Sequence, residues 1–324
     1  MNLQELKNSL MSNQLSESYA RSKKYFVNTP IIKSDFLSSF FKTNIYFKQE
    51  NLQETQAFKL RGAINSLLTI AAEGKVKKVV CSSSGSHAMG MCLAGKKLGF
   101  EVIVFLPGIT PKFKIDKIAK LGGKIIFFGE YVSEAQMEAM SYAEKNSLPY
   151  ISPYNHPGTI QGNGGFIAHE IMNHDIDFKN IICPVGGGGL LTGLTTALAL
   201  HDYGSRVIGV ESEDNPSMFN AIKNNDPNFP LHPKPSIAEA LICGVSQVGF
   251  PLIQEYVSDL ALISESAIKK AMKLLLHEEN LLVEGAGAIS TAFLFENKEN
   301  LLQENYLLLI TGGNIKESTV INLT

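Results

Sequence analysis

Three short segments, far apart along the chain, carry residue types that together can do carbonyl chemistry. Lys59 lies in Thr55-Gln56-Ala57-Phe58-Lys59-Leu60-Arg61-Gly62-Ala63, crowded by apolar neighbours. An ammonium so placed loses hydration, which lowers its pKa toward the nucleophilic free amine. Gly186, Gly187, Gly188 and Gly189 follow directly on the apolar run 181–185 and lead into Leu190-Leu191-Thr192-Gly193. Consecutive glycines let several backbone N–H groups converge on an anion with no Cβ in the way. A helix starting near Leu190 adds its positive end. Thr311 sets a hydroxyl directly after the apolar run 307–310. An imine-forming amine, a phosphate cradle and a hydroxyl at a strand end are the parts needed to hold pyridoxal phosphate as an electron sink.

A fourth segment, Ser82-Ser83-Ser84-Gly85-Ser86-His87, ends an apolar run and precedes a helical stretch. Hydroxyls and free N–H groups at a helix start can serve as a simple N-cap or as a carboxylate site. Beside a cofactor lysine some twenty-five residues earlier, the carboxylate reading is preferred. Two commoner phosphate motifs are excluded. No Gly-Lys-Ser or Gly-Lys-Thr follows the glycines, and a G-x-G-x-x-G frame meets Leu191 or Thr192 at its last position.

These segments need a scaffold. The expected strands are 78–82, 101–106, 124–128, 180–185, 206–211, 260–264 and 306–310, with helices near 88–98, 111–121, 133–146 and 190–201. Strand alternating with helix predicts an α/β fold of parallel sheets covered by helices, with ligands beyond the strand carboxyl ends. The glycine run, Thr311 and the 83–87 segment all fall at such ends. The expected organisation is a small domain over 71–150 and a large cofactor-binding domain made of 1–70 and 151–324, with an irregular proline-rich loop over 224–235.

Composition narrows the class. A chain of 324 residues, 44% hydrophobic, can bury a substantial core. A net charge of −2 gives no general drive toward nucleic acid or an anionic membrane. No membrane-length apolar run and no secretory pattern is present. Cys81, Cys92, Cys183 and Cys243 form no Cys-x-x-Cys pair and read as reduced thiols of a cytoplasmic protein. The seven histidines lack close metal-ligand spacing, which argues against zinc.

With these motifs in hand, the chain resembles the fold-type II pyridoxal-phosphate enzymes (tryptophan synthase β-like), in particular the threonine/serine dehydratase and serine racemase family. The resemblance runs from about Thr29 to Thr319. Residues 55–63 are similar to T-G-S-F-K-x-R-G-A, 83–87 to S-S/A-G-N-H, 184–193 to P-V-G-G-G-G-L-x-x-G, 283–288 to E-G/P-A-G-A, and 311–314 to S-G-G-N. The resemblance implies two α/β lobes, a homodimer, and Lys59 as the residue that carries the cofactor. It implies that Phe58 packs on the cofactor ring, that Gly186 to Gly189 with Leu190 hold the phosphate, and that Thr311 meets the pyridine nitrogen. Glu284, Ser86 and Lys59 join the cofactor-binding set. Ser83, Ser84, Gly85, Ser86 and His87 would bind the substrate, and the absence of sequence beyond the match argues against biosynthetic end-product feedback.

Several positions depart from the family pattern. Ser86 replaces an asparagine that reaches the cofactor's 3′-oxygen, Gln56 a glycine, and Ala57 a serine. Gly162-Asn163-Gly164-Gly165 replaces G-Q-G-T. Glu211 stands where a cation site begins, which makes a magnesium or potassium ion a candidate, but Ser217 takes the place of the expected aspartate.

Three readings follow. The first is a deaminating dehydratase of a small hydroxy amino acid such as L-threonine or L-serine. Lys59 removes the Cα proton, and the cofactor phosphate protonates the departing hydroxyl. The second is an amino-acid racemase with Ser84 as the acid on the opposite face. The third is a non-catalytic ligand-binding relative, suggested by Ser86. The shorter Ser86 predicts weak turnover of plain L-serine and L-threonine and better turnover of a bulkier or differently substituted analogue.

Overall fold

The computed structural model describes residues 3–74 and 76–323. Nine strands are seen: β1 Ile31–Lys33, β2 Asn44–Gln49, β3 Lys78–Ser82, β4 Glu101–Leu106, β5 Lys124–Phe127, β6 Asn180–Pro184, β7 Arg206–Ser212, β8 Asp259–Ile263 and β9 Asn305–Ile310. They form a six-stranded sheet in the order β1-β2-β9-β6-β7-β8 and a three-stranded sheet β3-β4-β5. All pairings are parallel except that of β1 with β2. Parallel strands need long crossovers, and here helices supply them, which buries both faces of the sheets. The fold class is the expected α/β arrangement.

The seven anticipated strands all form, with ends within one or two residues. The two that were not anticipated are β1 and β2. The first is a three-residue edge strand, too short to announce itself and mostly exposed. The second carries Lys48 and Gln49 in its buried half, which breaks the apolar run. Lys48 is tolerated because its Nζ donates to the Thr29 carbonyl at 2.6 Å and pairs with Glu170. Glu170 also meets Arg61 Nη1 at 2.7 Å, and Arg61 Nε meets Glu50 at 2.7 Å. Two cations and two carboxylates, all buried, thus satisfy one another where isolated charges would be prohibitive.

The helix Lys59–Ala72 is the element shared by both sheets' surroundings. Its buried Leu60, Ala63, Ile64 and Leu67 belong to one continuous apolar cluster that holds Val79, Val104, Ile181, Leu191 and Leu307. The N-terminal helices Leu3–Ser9 and Ser12–Ser22 and the turn between them add Leu6, Leu15 and Leu10 to it. The strand carboxyl ends of β3, β6 and β9 therefore lie around the start of the Lys59 helix. The 224–235 stretch is irregular after residue 224, as its prolines require.

Candidate active site

The lysine segment is held by the chain's last strand. Ala57 and Gly312 form an isolated antiparallel bridge. Phe58 N–H donates to the Thr311 carbonyl at 3.1 Å, and Gly313 N–H donates to the Gln56 carbonyl at 2.9 Å. Gln56 pays for this turn with φ 56°, a left-handed conformation that costs a non-glycine residue roughly 1–2 kcal/mol. The glycine of the family pattern would adopt it freely.

Lys59 opens its helix and is half-buried. Its Nζ donates to the Pro153 carbonyl at 3.2 Å and stands 4.7 Å from the Phe58 ring centroid. Among the described residues no carboxylate pairs with it. Burial pushes the amine down to about 8, against a smaller opposing pull from the Cys243 thiol. An appreciable fraction is therefore free amine near neutral pH. Arg61, two residues on, is held charged by two carboxylates.

The glycine run turns from β6 into the helix Gly189–Leu200. Gly188 caps that helix at φ +84°, and a Cβ there would come within 2.5 Å of Met218 Cε. A Cβ on Gly187 would come within 2.6 and 2.7 Å of Tyr154 Cδ1 and Cδ2. Among the described residues, no acceptor takes the N–H groups of Gly188, Gly189 or Leu190, while the Gly187 N–H faces the Cys243 thiol. Several unpaired N–H groups at the positive end of a twelve-residue helix fit a phosphate.

The 83–87 segment leads from β3 into the helix Ser86–Leu98. Ser83 to Ser86 are half-buried, so they line open space. Ser83 Oγ accepts from Gly85 N–H at 3.2 Å, and Ser84 has no hydrogen-bond partner among the described residues. Ser86 Oγ accepts from Asn314 Nδ2 at 3.2 Å, and that amide also donates to the Thr55 carbonyl at 2.9 Å. His87 differs from its neighbours. Its ring is buried, with Nε2 2.9 Å from the Ile151 carbonyl and Nδ1 unpartnered. Burial, aided by the charge of Lys59, pushes His87 down to about 3, so the imidazole is neutral. What His87 offers an anion is its backbone N–H in the first helical turn.

Thr311 is buried, and its Oγ1 donates to the Ala286 carbonyl at 3.2 Å. Glu284 caps the helix Gly285–Glu296 and lies against Gly312. Burial first, and Glu239 second, push its carboxyl up to about 7. Glu211 is also buried, and its two oxygens accept from Met218 and Phe219 N–H at 2.8 Å each. Burial pushes Glu211 up to about 8 against those bonds. Among the described residues no group of three or more His, Cys, Asp or Glu side chains is arranged to hold a metal.

Asn163 lies behind the lysine helix. It is fully buried, and its Oδ1 accepts from Gly62 N–H at 2.9 Å. The altered 162–165 segment thus positions the Lys59 helix from behind. Residues to which sequence reasoning gave no role at the site are Pro153, Tyr154 and Cys243. No local pattern marks them, because each reaches the lysine or the glycine run only through the tertiary fold.

Residues 23–312 match the family described as pyridoxal-phosphate dependent enzyme. The L-threonine ammonia-lyase of Thermotoga maritima is 32% identical over 302 residues, 93% of this chain and 75% of that protein. The solved structure of the processed form of threonine deaminase isoform 2 from Solanum lycopersicum superposes with a TM-score of 0.87 at 30% identity, covering 96% of this chain and 87% of that one. Serine racemase from Dictyostelium discoideum superposes with a TM-score of 0.84 at 28% identity, covering 93% and 97%.

Proposed function

The chain belongs to the family of pyridoxal-phosphate-dependent enzymes, and on that premise we propose that it is an ammonia-lyase. It removes water from a small hydroxy amino acid such as L-threonine or L-serine and yields a 2-oxo acid and ammonia. The observation that carries this reading is the half-buried, unpaired Lys59 amine set among the glycine cradle, the 83–86 segment and Thr311.

When bound, pyridoxal phosphate supplies an aldehyde that condenses with amines and a ring that delocalises the electron pair left at Cα. The N–H groups of Gly188, Gly189 and Leu190, with Gly186 and Gly187 shaping the loop, hold its phosphate. Phe58 would pack on its ring, and Thr311 and Glu284 would be further contacts to it. Ser83, Gly85, Ser86 and the His87 backbone N–H take the substrate carboxylate. Lys59 Nζ would accept the Cα proton, and the β C–O bond would break with its electron pair on oxygen, which would take up one proton, the equivalent of the one given to Lys59, and depart as water. The released enamine hydrolyses to the oxo acid and ammonia. Fixing the Cα–H bond toward one amine is the protein's main contribution.

The unpartnered Ser84 hydroxyl favours a second activity. A proton donor opposite Lys59 would return a proton to the other face of Cα and invert the amino acid. A panel of amino acids assayed together for ammonia, oxo acid and inverted enantiomer separates the two. No product of either kind from any hydroxy amino acid would sink both.

The finer parts of the reading are a cytoplasmic homodimer with the small domain at 71–150, and a magnesium or potassium ion at Glu211. Among the described residues no helix is long and apolar enough to cross a membrane. Sedimentation tests the dimer. A rise in melting temperature with either cation, lost in Glu211→Ala, tests the ion.

A further inference from the structure

Tyr154 follows the residue whose carbonyl receives Lys59 Nζ. Its ring carbons cover Gly187, and its Cα lies 2.7 Å from where a Cβ on Gly189 would stand. Its phenol oxygen reaches to within 3.9 Å of the corresponding point on Gly244. The Cys243 thiol donates to the Leu241 carbonyl at 3.7 Å, lies 3.1 Å from where a Cβ on Gly186 would stand, and feels the charge of Lys59. Gln136, on the helix Val132–Lys145, lies close enough to the Tyr154 phenol to act on it as a polar neighbour. Tyr154, Gln136 and Cys243 are all half-buried, as groups lining a cleft must be.

The dehydratase reading, on which this inference rests, fixes two of the substituents on the substrate's Cα. The carboxylate lies at 83–86 and the amino group beside Lys59. The side chain is then left facing the third wall, made by Tyr154 and Cys243. We propose that Tyr154 is a specificity-determining residue, which Gln136 holds in place so that the substrate's β-carbon can carry a hydroxyl and nothing larger than a methyl group. Burial pushes the Cys243 thiol up to about 11 and raises the Tyr154 phenol. Both therefore stay neutral, and the wall suits an uncharged side chain. Ser86 belongs to the carboxylate side, where Asn314 already donates to it, so the proposal assigns the choice of β-substituent to Tyr154.

The test compares wild type, Tyr154→Ala and Gln136→Leu on L-serine, L-threonine and L-threo-3-phenylserine. In Tyr154→Ala, kcat/KM for phenylserine relative to L-serine should rise about tenfold or more, the effect of freeing a pocket by more than a methylene. Gln136→Leu, which keeps the ring but releases it, should shift the ratio in the same direction. The Kd values of the three amino acids, read from the change in visible absorbance, should shift in parallel. An unchanged ratio in both variants overturns the proposal. If Tyr154→Ala fails to fold or to retain cofactor, Gln136→Leu decides alone. If the wild type turns over none of the three, the dehydratase reading fails, and the Kd ratios still decide the role of Tyr154.

Discussion

Phe58 N–H donates to the Thr311 carbonyl at 3.1 Å, so the residue preceding the reacting lysine is fixed by the end of β9. The amine and the strand-end hydroxyl are therefore positioned by one backbone contact, and a shift of one moves the other.

Lys59 should be the residue that carries the cofactor. Borohydride reduction should fix the label on Lys59, and Lys59→Ala should lower turnover by roughly 10²–10⁴-fold or more. The protonated amine is inert, and burial has brought its pKa down to about 8. The rate at which cofactor-free protein takes up pyridoxal phosphate should therefore climb between pH 6 and 9 with its midpoint near 8. A midpoint near the ordinary lysine value, or label on another lysine, would count against the assignment.

Gly188→Val should abolish cofactor binding. Its φ of +84° and the 2.5 Å approach to Met218 leave no room for a branched side chain. Absorbance per chain after dialysis measures occupancy, and full occupancy would place the phosphate elsewhere.

Ser84→Ala should suppress racemisation and leave elimination measurable, because no partner depends on that hydroxyl. Chiral analysis of residual substrate against oxo-acid yield reads the split. Equal loss of both would assign Ser84 to carboxylate binding.

Ser86→Asn should raise kcat/KM for L-serine and L-threonine about fivefold, in line with roughly 1 kcal/mol for a regained polar contact. Asn314 already donates to Ser86 Oγ, so the gain requires the new amide to coexist with it. Wild-type efficiency that Asn cannot improve would make Ser86 a neutral substitution.

Arg61→Leu should destabilise the fold by about 3–5 kcal/mol, since it leaves the buried Glu50 carboxylate without its close cation and Glu170 with Lys48 alone. The melting temperature should fall by roughly 10 °C or more. Lys112→Ala, which breaks the exposed pair with Asp116, should leave it unchanged. Equal shifts in the two variants would show that the buried network contributes little.

Much of this was legible in the sequence because local pattern and global role coincide. Apolar runs bounded by glycine and proline announced seven strands, and the glycine run announced the turn into its helix. Lys48 hid β2, since a charge reads as solvent-facing until its partner at residue 170 is known. His87 looked like a ligand for the carboxylate, but its ring bonds Ile151 in the interior. Tyr154 carried no signal, because its place over Gly187 depends on how residues 150–156 return toward the glycine loop.

β9 lies between β2 and β6 in the larger sheet. During synthesis the strands on either side of it are made long before it emerges. Until residues 305–310 insert, the two halves of that sheet share no hydrogen bonds through their centre, and Phe58 lacks its Thr311 partner. Until β9 has emerged, the nascent chain therefore lacks the contact that sets the lysine segment, and no product truncated before β9 can carry an assembled site.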